Sequence, residues 1–205
     1  MLHSSDLRES LCWAITDIHA KGWASGTGGN FSVVLSQQPL ALLMAPSGVD
    51  KGLLQPEDLI EVNAHGEVLA GQGRASAETL LHLAIVQHTQ AGAVLHTHSV
   101  FNTLLSDYYQ PQGHLLLSGY EMLKGLEGIR THTAIVQLPI VANSQDMTVL
   151  SEALRSHLPN PAHGVLIAGH GLYVWGKTLF QARRHLEILE FLLELTYRKL
   201  AMAAD

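Results

Sequence analysis

The run Ala93–Val94–Leu95–His96–Thr97–His98 constrains this chain more than any other stretch. It is strand-length and apolar, follows Gly92, and reads as a buried strand that ends on two histidines. Further strand-length apolar runs lie at 31–36, at 40–45, and in DLIEV and EVLAG, which flank a turn at Asn63–Gly66. AIVQL at 134–138 is another, and GVLIAGHGLYVWG reads as a hairpin with Gly169–His170–Gly171 in its middle.

Helical spacing interrupts these runs. Over 5–21, Leu7, Leu11, Ala14, Ile15 and Ile18 share one face, and Gly22 stops the helix. Ser76 is the expected N-cap of a helix reaching about Gln90, and Ser144 that of a helix over 145–158. A helix is expected near 99–105, a short one near 119–126, and a long one from about 178 to 202 with Leu186, Leu189, Leu193 and Thr196 along one face. Hairpins with helices on both sides predict an α/β fold: an α/β/α sandwich around a central, mainly antiparallel sheet. The length of 205 residues fits one domain over 1–205.

Composition narrows the function. Hydrophobic residues make up 47% of the chain and charged ones only 15%, enough for a core and too few charges for disorder. Twelve basic against 18 acidic residues give a formal charge of −6, and no Lys/Arg stripe occurs, so a nucleic-acid partner is not expected. Cys12 is the single cysteine, which rules out an internal disulfide and a Cys-rich zinc site and suits a reducing cytoplasm. It reads as a buried small hydrophobe, and Trp13 beside it as a packing residue. MLHSSDLRES has neither the basic nor the apolar region of a signal peptide, and no apolar run nears the ~20 residues of a membrane span, so no membrane association is expected.

On a strand, residues two apart point to the same face, so His96 and His98 enter one space, where two imidazoles can hold zinc. His170, between two glycines after an apolar strand, is poorly explained as core packing and is the candidate third ligand. His82, His88, His114, His132 and His163 compete for that role. Three protein ligands leave a coordination position open, the catalytic pattern for zinc.

Three further segments can bind an anion without much basic charge: Gly26–Thr27–Gly28–Gly29–Asn30, Ser47–Gly48, and Ser76 at a helix start, with Lys51 adding one charge.

Together TGGNFS at 27–32, PSG at 46–48, SAE at 76–78, HTH at 96–98 and GHG at 169–171 resemble the class II aldolase family of zinc sugar-phosphate aldolases and epimerases, in the family's order. The resemblance implies one zinc ion per subunit on His96, His98 and His170. It implies a sugar-phosphate substrate held at Gly28, Gly29, Asn30, Ser47, Gly48, Lys51 and Ser76, and a C4 homotetramer with active sites near subunit interfaces. Where the aldolase motif has a second serine, this chain has Ala77. Within the family, SGTGGNFS, APSGVDKG, LHTHS and GYEMLKG are similar to a dehydratase branch acting on 5-methylthioribulose 1-phosphate in methionine salvage.

A dehydratase needs a base for the proton beside the ketone and an acid for the departing hydroxyl; one carboxyl near both atoms can do both. Two glutamates are candidates. Glu121, in GYEMLKG, has that role by resemblance to the dehydratases. Glu78, expected in the first turn of its helix, stands where the aldolases carry their base. The alternatives are an aldolase releasing dihydroxyacetone phosphate and an aldehyde, and a non-catalytic interaction module of the same fold.

Overall fold

The computed structural model describes residues 4–203, with the side chains of 6–203. Nine strands form one sheet: β1 (Asn30–Gln37), β2 (Leu40–Met44), β3 (Ile60–Asn63), β4 (Val68–Ala70), β5 (Ala93–Thr97), β6 (His114–Leu117), β7 (Val136–Val141), β8 (Gly164–Ile167) and β9 (Gly171–Gly176). Their order is β4-β3-β2-β1-β5-β9-β8-β7-β6. Only the β7–β8 pairing is parallel, so the mainly antiparallel expectation holds.

The sheet is covered on both faces by α1 (Ser4–Ala20), α2 (Thr79–Thr89), α3 (Val100–Tyr108), α4 (Met147–Arg155) and α5 (Leu179–Met202). Leu11, Ile15 and Ile18 of α1, Leu105 of α3 and the leucines of α5 pack against one face of the sheet. Leu81 and Ile85 of α2 and Leu150 and Leu154 of α4 pack against the other. Leu186, Leu189, Leu192 and Leu193 are fully buried, and each contributes about 1.5–3 kcal/mol to holding α5 on the sheet.

Two helix starts differ from the sequence expectation. Ser76 Oγ accepts from the Glu78 amide, closing a turn, and α2 begins three residues later, with Glu78 rather than Ser76 at the cap position. Ser144 likewise accepts from the Asp146 amide, and Asp146 caps α4 by accepting from Thr148 and Val149. In both places the hydroxyl satisfies an amide just outside the helix. Cys12 is buried as expected, whereas Trp13 is 59% exposed, with the Arg183 guanidinium 4.1 Å above its ring.

Candidate active site

Strand alternation builds this site. On β5, Val94 and His96 face α2, while Leu95 and Thr97 face α3 and α5. His96 is fully buried and His98 follows on the same side just past the strand end. The β8–β9 turn delivers His170: its Nε2 lies 3.4 Å from His96 Nε2, and His98 Nε2 lies 2.7 Å from the same atom. Gly171 makes room for this, since a Cβ there would stand 2.9 Å from both the His96 and His98 rings.

These three imidazoles form the one group of three or more potential metal-binding side chains among the described residues. Their chemistry fits an ion. His96 Nδ1 lies 3.1 Å from the Leu172 carbonyl, so Nδ1 carries the proton and Nε2 presents its lone pair to the centre. Two nitrogens at ~2.0–2.1 Å from a tetrahedral metal stand about 3.3 Å apart, close to the His96–His170 separation. Burial pushes His96 well below the ordinary histidine range and lowers His98 too, so both are neutral, as ligation requires.

Glu78 closes one side of the triad. Its carboxylate lies 3.3 Å from His170 Nε2 and 3.5 Å from His96 Nε2. It also accepts from the Asn30 amide and, at 3.0 Å, from the Tyr173 hydroxyl. The sheet register explains the convergence, because Asn30 and Tyr173 are the two cross-strand neighbours of His96. Burial raises the Glu78 carboxyl, but the hydrogen bonds it accepts from His170 and Tyr173 and its closeness to the imidazoles outweigh that and hold Glu78 well below the usual carboxylate range.

The glycine-rich loop lies against His98. A Cβ on Gly28 would stand 2.8 Å from His98 Nδ1. Gly29, at φ +80°, brings the backbone to where a Cβ would be 2.8 Å from the His96 carbonyl. Lys51 is fully buried, and its Nζ donates to the Thr27 and Val49 carbonyls at 3.1 Å each, stitching the glycine-rich loop to the Ser47–Gly52 segment. Its charge reaches His98. Ser47 donates its amide to the Arg74 carbonyl, which brings the Ser47–Gly48 and Ser76 segments side by side.

Glu121 stands apart. Its side chain is 67% exposed, on a single 3₁₀ turn at Glu121–Gly125, and pairs with Lys124 Nζ at 2.5 Å and His132 Nδ1 at 3.3 Å, not with the triad. The histidines that competed for third ligand are held elsewhere. His82 Nδ1 bonds Ser32 Oγ at 2.8 Å, His88 bonds the Ala84 carbonyl of its own helix, and His163 stacks on His185. His132 serves Glu121, and His114 sits in β6, outside the cluster.

A family model described as the Class II Aldolase and Adducin N-terminal domain matches residues 9–197. The chain belongs to the class II aldolase and adducin family. Within it, the chain is 42% identical to a methylthioribulose-1-phosphate dehydratase of Stenotrophomonas maltophilia, over 96% of this chain and 93% of that protein. It is 45% identical to one of Sorangium cellulosum, over 86% and 84%. Among solved structures, L-fuculose-1-phosphate aldolase of Thermus thermophilus superposes with a TM-score of 0.78 at 26% identity, over 98% of this chain and all of that one. YgbL of Escherichia coli gives 0.80 at 28%, over 95% and 89%.

Two residues of this class II aldolase site escape a reading of the sequence. Tyr173 looks like one more apolar strand residue until β9 pairs with β5. Glu190 is buried at 2% exposure on the core face of α5 and accepts from Thr97, Ser99 and Asn102. A visible signal for it is a carboxylate four residues after Leu186 on the apolar stripe of that helix.

Proposed function

We propose that the chain is a zinc-dependent dehydratase that converts 5-methylthioribulose 1-phosphate to 2,3-diketo-5-methylthiopentyl 1-phosphate and water, a step of methionine salvage, as a C4 homotetramer of the cytoplasm. The observation that carries this reading is kinship: identity to dehydratases of that name runs over nearly the whole chain. The convergence of His96, His98, His170 and Glu78 beside a glycine-lined loop supports it chemically.

The residues divide the work as follows. His96, His98 and His170 hold the metal. When bound, it supplies Lewis-acid stabilisation for the negative charge that develops on a carbonyl oxygen. Gly28, Gly29, Asn30, Ser47, Gly48, Lys51 and Ser76 line the phosphate end, with backbone amides and the buried Lys51 ammonium as donors. A carboxylate takes the C3 proton. The C4 hydroxyl then leaves as water with a proton returned to it, and the resulting enol tautomerises to the second ketone.

Glu121 is the proposed acid/base. Glu78 is already engaged by Asn30, Tyr173 and two imidazoles, which suits a carboxylate that orients its surroundings. Glu121 touches no imidazole of the triad in its own chain. A tetramer with sites near its subunit interfaces offers it the triad of a neighbouring copy.

The deciding experiment is to incubate the zinc-loaded protein with 5-methylthioribulose 1-phosphate and identify the product by mass spectrometry. Loss of one water is expected. Dihydroxyacetone phosphate and an aldehyde would instead support the aldolase reading, which the closeness of Glu78 to the triad favours. Glu121→Gln should abolish dehydration with zinc still bound; near-native turnover would remove Glu121 from the chemistry. Mixing Glu121→Gln with His96→Ala subunits should restore partial activity if the glutamate acts across an interface.

A further inference from the structure

The face of β5 opposite the histidines carries a closed polar network. Thr97 lies between the two histidines and points the other way, toward α5. There Glu190 Oε1 accepts from Thr97 Oγ1 at 2.9 Å and Asn102 Nδ2 at 2.9 Å, while Oε2 accepts from Ser99 Oγ at 2.6 Å. All four residues are buried. Asn102 Nδ2 also reaches Thr97 Oγ1 at 3.1 Å and the Thr97 carbonyl at 3.3 Å. A carboxylate withdrawn this far from water is costly unless its lone pairs are satisfied, and here three donors do so.

The network continues to the third histidine. Thr103 Oγ1 is 3.2 Å from Asn102 Oδ1 and donates to the His170 carbonyl at 3.1 Å. One turn further along α3, Ser106 Oγ accepts from the Gly169 amide at 3.1 Å. The polar side of α3 thus holds the turn that delivers His170, and Glu190 holds both α3 and the strand end that delivers His96 and His98. The β5–β9 ladder already pairs Thr97 with Leu172, and Glu190 adds to it a side-chain tether from α5, 93 residues along the chain from Thr97, that also holds α3 and through it the His170 turn.

We infer that Glu190 is a positioning residue for the three-histidine metal site: through Thr97, Ser99 and Asn102 it sets the separation of His96 and His98 from His170. This rests on the reading of that triad as a metal centre. Glu190 touches none of the imidazoles, so its effect is on how well preorganised they are.

The test is zinc affinity, measured on the full chain by competition with a chromophoric chelator, alongside thermal unfolding of the metal-free protein. Glu190→Gln keeps the shape but places an amide donor where Ser99 donates. Thr97→Val keeps the strand and removes one link. Both should still unfold cooperatively without metal and bind zinc about tenfold or more weakly than the wild type, the range seen for residues that orient ligands. Cobalt(II) in the same site should show an altered visible spectrum. If both variants bind zinc as tightly as wild type, Glu190 serves folding alone and the inference falls, whatever happens to their melting temperatures. Should Glu190→Gln fail to fold, Thr97→Val decides by the same measure. A wild type that binds no zinc would instead overturn the metal reading itself.

Discussion

Tyr173 lies flat against His96, with ring centroids 3.9 Å apart and planes 10° from parallel. The two are direct partners across β5 and β9, and from this position the Tyr173 hydroxyl reaches Glu78 at 3.0 Å. One side chain therefore packs an imidazole of the triad and fixes the carboxylate beside it. Tyr173→Phe keeps the stack and deletes only the donor. Urea unfolding of the metal-free protein should show a loss of about 1.5–3 kcal/mol, the range for a hydrogen bond to a charged group. An unchanged midpoint would mean that the bond contributes nothing.

Metal removal should expose the role of His170. Zinc at a hundred times its dissociation constant stabilises a protein that binds it only when folded by about 2.7 kcal/mol. A chelator should therefore lower the unfolding midpoint of the wild type. His170→Ala should show weakened zinc binding and little response to chelator. A variant with native stoichiometry and affinity would strike His170 from the ligand set.

His82 should make the fold acid-sensitive. Burial pushes its pKa from 6.5 down to about 4. The unfolded chain therefore takes up the proton first, and stability is full above about pH 6.5 and lost as pH falls from there to about 4. The shift corresponds to about 3 kcal/mol. His82→Gln, which can still bond Ser32, should lose correspondingly less stability between pH 7 and pH 4 in a series of urea titrations. Parallel curves for the two proteins would contradict the assignment.

Cys12 should be inert in the native protein. Burial, with Asp58 and Glu57 adding to it, raises its thiol to about 11. At pH 8 only about one thiol in a thousand is then ionised, and the side chain is shielded as well. Ellman's reagent should react slowly with the folded chain and promptly in denaturant. Fast reaction without denaturant would show that α1 opens readily.

The elements of the site that depend on local geometry were readable from one strand or one loop. The spacing of His96 and His98 puts both on one face of any strand, and glycines on either side of His170 announce a close approach. Gly28 and Gly29 mark a backbone that must crowd against something, although only the fold reveals that His98 and the His96 carbonyl are what it crowds. The apolar stripes of α1 and α5 follow from helical spacing, and the mixture of hairpins and helices leads to the two-sided sheet. Even at this level the starts of α2 and α4 shifted, because Ser76 and Ser144 bond amides outside the helices and leave the cap positions to Glu78 and Asp146.

What local pattern cannot specify is which distant segments become neighbours. Placing β5 between β1 and β9 makes Asn30 and Tyr173 flank His96, and this brings Glu78 from the start of its helix against the histidine triad. Glu121, on its own 3₁₀ turn, stays on the surface of its chain. Glu190 comes to Thr97 from 93 residues away, across the packing of α5 on the sheet. Periodicity tells a side chain which face to take. The partner it finds there is chosen by long-range packing, in which the burial of whole helices outweighs any single polar contact.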